Sequence, residues 1–164
     1  MTTPSMLPVT EQHLPSILTV YNHYVINSTA TFHAHPLSID EMRSLVVFEN
    51  PRYKSFAILH HDCFAGYVLL TQHKAREAYN STAEVTIYLS PDFTRKGLGR
   101  YALGFIEDIA RQIGFHALIA TVCGENEPSL SLFERSGYHR CAHYKEVGWK
   151  FDRYLDLIAL EKLL

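Results

Sequence analysis

The residues best placed to do chemistry lie in one short stretch, Arg95-Lys96-Gly97-Leu98-Gly99-Arg100. Glycines let main-chain N–H groups come close to an anion, and Arg95 and Lys96 add positive charge beside them. The segment after this loop reads as a helix, with Leu98, Ala102, Phe105, Ile109 and Ile113 spaced along one helical face. A helix start supplies unpaired N–H donors and a partial positive charge, which together suit a phosphate. The segment before the loop, Glu84-Val85-Thr86-Ile87-Tyr88-Leu89, reads as a strand. Val85, Ile87 and Leu89 point one way, and Thr86 and Tyr88 the other. Glycines at a strand–helix junction often serve turn geometry alone, and neighbouring Arg and Lys are commonly just solvated. Two cations at the head of a long helix tip the balance toward phosphate binding.

Two familiar phosphate loops are excluded. Gly97-Leu98-Gly99-Arg100-Tyr101-Ala102 fits the letters of the dinucleotide fingerprint, and Glu125 lies where a ribose-binding acid would sit. That fold, however, places its first glycine directly after the strand, whereas here residues 90–96 intervene between Leu89 and Gly97. No Gly-Lys-Ser/Thr comes after it, so this is not a Walker loop either.

The elements needed to hold this loop can be read on both sides of it. A short strand at 5–9 precedes a helix capped by Thr10, with Leu14, Ile17, Leu18, Tyr21 and Val25 on one face. Ser38-Ile39-Asp40-Glu41 is a capping box that opens a second helix, running to about Phe48 before Asn50-Pro51. Strands at 55–59 and 64–70 flank a turn at 60–63, and a polar segment, 71–82, leads into the central strand 83–89. The long helix 98–113 stops at Gly114. A strand at 117–122, a helix opened by Asn126-Glu127-Pro128 and closed by Gly137, and strands near 138–144 and 154–160 complete the chain. The expected fold is α/β: a mixed, mostly antiparallel sheet flanked by helices, with one parallel crossover around the long helix.

Composition sets the outer limits. The chain has 164 residues, 47% hydrophobic and 20% charged, with a formal net charge of −2. One domain, 1–164, with a substantial core is expected, and no broad basic surface for nucleic acid. Cys63, Cys123 and Cys141 fit no metal spacing or disulfide framework, and all three are expected to be buried small residues. The ten histidines are scattered, and none forms a His-x-x-x-His pair with a nearby acid, so no metal is expected. No signal peptide or run of transmembrane length is seen, so a cytoplasmic protein without a membrane partner is expected.

The element order, the 94–99 loop Thr-Arg-Lys-Gly-Leu-Gly, Asn126-x-Pro128-Ser129 and Phe133-Glu134-Arg135-Ser136-Gly137-Tyr138 resemble the GCN5-related N-acetyltransferase superfamily. Thr94 departs from the Gln or Arg usual at the loop's first position. Blocks further out are similar to the phosphinothricin and methionine sulfoximine acetyltransferase branch. These are Tyr21–Tyr24 with Ser28–Phe32, the 74–84 stretch from Lys74 to Glu84, and Gly148–Asp156. That branch acetylates the α-amino group of amino acids such as phosphinothricin, methionine sulfoximine and methionine sulfone, and its members are typically homodimers.

The resemblance implies acetyl-CoA as co-substrate and no metal. It places the pyrophosphate on the backbone of Arg95, Lys96, Gly97, Leu98, Gly99 and Arg100, the pantetheine arm along Ile87, Tyr88 and Leu89, and Asn126 against the cofactor. Glu84 matches the branch's catalytic glutamate, the base that frees the amine. Lys74 and Arg76 are placed to hold a substrate carboxylate, Arg76 with its planar fork. Thr86 lines the amino-acid site, and Phe32 and Tyr79 wall it. Phe133 stands where many relatives carry a Tyr or His general acid. Phe151 stands where some carry a His, and Asp152 and Tyr154 replace the usual Gly and Trp. Two other readings stay open: a protein N-terminal acetyltransferase, and a non-catalytic acyl-CoA sensor.

Overall fold

The structure is a computed structural model and describes residues 3–164. Seven strands form one sheet: β1 (Ser5–Pro8), β2 (Lys54–His60), β3 (Cys63–Gln72), β4 (Thr82–Leu89), β5 (Ala117–Cys123), β6 (His139–Lys150) and β7 (Arg153–Leu163). Four α-helices cover it: α1 (Leu14–Asn27), α2 (Ile39–Val46), α3 (Leu98–Ile113) and α4 (Glu127–Arg135). The strands lie in the order β1-β2-β3-β4-β5-β7-β6. Every neighbouring pair is antiparallel except β4–β5, which is the crossover closed by α3. This is the expected architecture.

Alternation along β3 and β4 sends side chains into two cores. Val68, Leu70, Ala83 and Val85 join Ala102, Leu103, Ile106 and Ala110 of α3 on one face. Tyr67 and Leu69 join Ile17, Tyr21 and Val25 of α1 and Met42 of α2 on the other. Helices on both faces leave β3 without a wet side, so it reads as an almost unbroken apolar run. Helix α3 rests on the row Ala102, Leu103, Ile106 and Ala110, where two alanines allow close approach. Phe105, Ile109 and Ile113, expected at the centre, flank that row and are only partly buried.

Three local expectations change. The last two strands run longer, because Phe151 and Asp152 both take left-handed backbone (φ 53 and 57) and close a tight hairpin. Pairing then extends to Lys150↔Arg153, and an irregularity between Tyr144 and Gly148 absorbs the mismatch. Helix α2 stops at Val46, because Val47 is already extended. Of the cysteines only Cys123 is buried. Cys63 begins a strand beside a turn, and Cys141 is the unpaired residue of a register shift in β6. Among the described residues no helix is long and apolar enough to cross a membrane.

Gly66 fixes how closely β3 approaches β4. A Cβ there would sit 2.3 Å from the Tyr88 carbonyl oxygen and 2.9 Å from the Leu89 Cα, both backbone atoms. Gly66→Ala must therefore push the strands apart at Tyr88–Leu89. It is expected to cost about 1–3 kcal/mol, read as a lower urea midpoint.

Candidate active site

Strands β4 and β5 pair over only three rungs, Thr82↔Ala117, Ala83↔Leu118 and Glu84↔Ile119. Beyond them β4 stays paired with β3 as far as Leu89↔Gly66, and β5 stays paired with β7 as far as Cys123↔Leu157. The two strands therefore part, and a cleft of about 850 Å³ occupies the opening. Its walls are Val85–Leu89 of β4, Thr121 and Val122 of β5, the loop into α3, one side of α4 from Pro128 to Arg135, and residues 28–30 after α1. On the β5 side, main-chain groups of Val85–Leu89 have no strand opposite them, although Leu89 O accepts a 2.6 Å bond from the Tyr24 hydroxyl.

One end of the cleft is a nest of N–H donors. Arg95 (φ 59) and Gly97 (φ 80) both take left-handed backbone, and Gly97 is the N-cap of α3. No side chain caps that helix, so its first N–H groups stay available to an anion. An arginine in this conformation costs about 1–2 kcal/mol. Arg95, Gly97, Gly99 and Arg100 line the cleft. Lys96 lies over the Phe93 ring, 4.9 Å from its centroid, and Leu98 turns into the core. Gly99 admits Leu132 of α4, whose Cδ2 would be 3.1 Å from any Cβ. Helix α4 presents its own start to the same space: Asn126 Oδ1 caps it by accepting from Ser129 N at 3.3 Å. Phe133, buried and edge-on to Tyr138 at 5.1 Å, adds an apolar wall without a hydroxyl.

The segment from Ser28 to Phe32 roofs the opposite end. Lys150, only 4% exposed, donates 2.8 Å bonds to the carbonyls of Ser28 and Thr31. Burial holds its ammonium below the usual lysine range. Thr29 Oγ1 donates to Glu125 Oε1 at 2.7 Å, and Arg153 forks onto the same carboxylate, with Nη2 at 2.7 Å from Oε1. The Tyr88 hydroxyl donates to Ala30 O at 3.2 Å, and Phe32 packs on the bare Gly148 backbone. Tyr21, Tyr67 and Tyr88 form an aromatic floor.

Glu84 occupies the last rung before the strands part, on the same β4 face as Thr86, which lines the cleft. Its Oε1 lies 2.8 Å from His73 Nδ1. His73 meets Tyr79 edge-on at 5.6 Å, and the Lys74 ammonium stands over the Tyr79 ring, 5.2 Å from its centroid. Arg76 is exposed at the start of the same turn. Two groups thus emerge. Ile87, Tyr88, Leu89, Thr86, Arg95, Gly97, Gly99, Arg100 and Asn126 share the cleft wall; Glu84, Lys74 and Tyr79 gather around His73 beside it. Phe32 stands apart, against β6. Sequence reasoning gave no role to His73, Tyr24 or Lys150 and did not connect Thr29 with Glu125 and Arg153.

With this geometry the chain belongs to the acetyltransferase (GNAT) family, whose model matches residues 17–138. It is an acetyl-CoA-dependent N-acetyltransferase. It is 32% identical to a phosphinothricin N-acetyltransferase of Alcaligenes faecalis, over 95% of this chain and 80% of that one. It is 30% identical to an L-methionine sulfoximine/L-methionine sulfone acetyltransferase of Pseudomonas aeruginosa, over 90% and 87%. A phosphinothricin acetyltransferase of Sinorhizobium meliloti, solved with acetyl-CoA, superposes with a TM-score of 0.94 at 27% identity, over 99% and 89%.

The Arg153 and Thr29 hydrogen bonds hold the Glu125 carboxyl down to about 2 from its usual 4.5. A lowered carboxyl stabilises the fold fully above its unfolded value, and that contribution disappears as pH falls through the folded value. Glu125→Gln is therefore expected to lower the urea midpoint near neutral pH. The gap from the parent protein should narrow between about pH 4.5 and 2.

Proposed function

We propose that this enzyme acetylates the α-amino group of a small amino acid of the phosphinothricin, methionine sulfoximine or methionine sulfone type. The observation that carries the reading is the position of Glu84 at the apex of the β4–β5 opening, beside a cleft with an anion nest at its far end. The coenzyme's pyrophosphate rests on the N–H groups of Arg95 to Arg100, with Lys96 adding charge. Its extended arm runs along Ile87–Leu89, and Asn126 contacts it from α4. A main-chain N–H of that strand polarises the thioester carbonyl. The acceptor enters from the face of Thr86 and Tyr88, under the 28–32 roof.

Acetyl transfer needs a neutral amine. Glu84 takes a proton from the ammonium, the nitrogen attacks the thioester carbonyl, and the C–S bond breaks as the second N–H proton passes to the departing thiolate, leaving the amide and the free thiol. The coenzyme thiolate is a fair leaving group, so Phe133 in place of an acid is compatible with turnover. Lys74 and Arg76, on the exposed segment beside Glu84, hold the substrate carboxylate, and Tyr79 bounds the pocket.

Free-thiol release from acetyl-CoA should appear with methionine sulfoximine, methionine sulfone or phosphinothricin in preference to ordinary amino acids and a Ser- or Ala-initiated peptide. Glu84→Gln should lower kcat by about 100-fold or more, the scale of a lost general base. Turnover of the peptide alone would favour the N-terminal acetyltransferase reading, and coenzyme binding without any turnover the sensor reading.

The protein acts in the cytoplasm as a homodimer. Tyr144, Val147, Trp149, Phe151 and Tyr154 of the β6–β7 hairpin are each half or more exposed, next to the open edge of β6. Trp149 and Tyr154 pair across the hairpin at 4.7 Å, an apolar surface suited to a second copy. Trp149→Glu is expected to shift sedimentation toward the monomer.

A further inference from the structure

A base is effective only if its lone pair meets the proton in one orientation, and an unsupported glutamate side chain has several. Glu84 is supported. Its backbone is fixed from both sides, by Thr71 of β3 and Ile119 of β5. Its Oε1 is met by His73 Nδ1 at 2.8 Å, with the His73 and Glu84 side chains 18% and 29% exposed. The imidazole is itself held: it sits one residue past the end of β3 and lies edge-on to Tyr79, whose ring carries the Lys74 ammonium on its face.

We propose that His73 is the positioning residue for the catalytic glutamate. Nδ1–H donates to Oε1, which fixes the carboxylate plane and leaves Oε2 as the oxygen that meets the amine. The inference rests on the reading of Glu84 as the base. It adds that the base is a pair built from β3 and β4, whose second member the glycine loop and the cleft wall do not reveal. The groups facing the pair are Tyr79, Lys74 above it, and the substrate ammonium on the open side.

The test compares His73→Asn and His73→Phe with the parent enzyme, on whichever of methionine sulfoximine, methionine sulfone and phosphinothricin it accepts. Asn places its amide nitrogen where Nδ1 stands and can donate the same bond, whereas Phe keeps the ring contact with Tyr79 and cannot. His73→Phe is expected to lose about 10–100-fold in kcat with KM for acetyl-CoA unchanged, the scale of a misplaced catalytic group. His73→Asn should recover most of that loss. Parental kcat in the Phe variant, a loss confined to KM, or an Asn variant as slow as Phe would each overturn the proposal. Melting curves of both variants separate these results from simple unfolding. If the parent enzyme acetylates none of these amines, the amine reading falls, and the pair is judged by ¹⁵N NMR of the imidazole. Nδ1–H should then dominate in the parent and give way in Glu84→Leu, which has no acceptor, and an unchanged tautomer there would overturn the pairing.

Discussion

Everything at the site depends on the parting of β4 and β5 after three rungs. Losing sheet pairing exposes N–H and C=O groups that a compact domain cannot leave buried and unpaired. The fold tolerates it because each strand keeps its other edge, β4 on β3 and β5 on β7. Gly66 draws β3 tight against the part of β4 that has lost its second neighbour. The parting creates three things at once: a free strand edge that suits an extended ligand, a space between the starts of α3 and α4, and a closed apex at Glu84. An acyl carrier with an anionic end and a linear arm matches that set in order.

How much of this was legible depended on how local its causes are. Helix α3 was bounded correctly at both ends because glycines in left-handed conformation, Gly97 at φ 80 and Gly114 at φ 94, terminate it from within the sequence. The uncapped helix start with its left-handed loop was legible for the same reason, since its N–H donors are consecutive residues. The β6–β7 hairpin was not: its turn uses Phe151 and Asp152 with neither a glycine nor a proline, and its length is set by pairing across the strands. The pairs around the acceptor side were equally hidden. Glu84 and His73 lie 11 residues apart, Thr29 and Glu125 96, and Lys150 and Ser28 122. Spacings like these leave no periodic trace, and the resemblance of the 28–32 and 148–156 blocks to the branch did not place them against each other.

Lys150 shows what those long-range contacts are for. Its ammonium is buried against two carbonyls without a carboxylate, and desolvation lowers its pKa. A lysine whose folded value lies below its unfolded value penalises the fold wherever it is protonated, and the penalty lifts only as pH rises toward the unfolded value. At neutral pH its burial therefore opposes stability, and its place in the structure is explained by what it holds. It ties the 28–31 backbone to the β6–β7 hairpin while Thr29 ties the same segment to Glu125 and Arg153. The position of the 28–31 segment is thus set by the hairpin, whereas the opposite wall is set by α3 and α4. Ser28–Ala30 and Glu125 line the same cleft as Arg95, Gly97, Gly99 and Asn126, so the hairpin shapes one end of it through this segment.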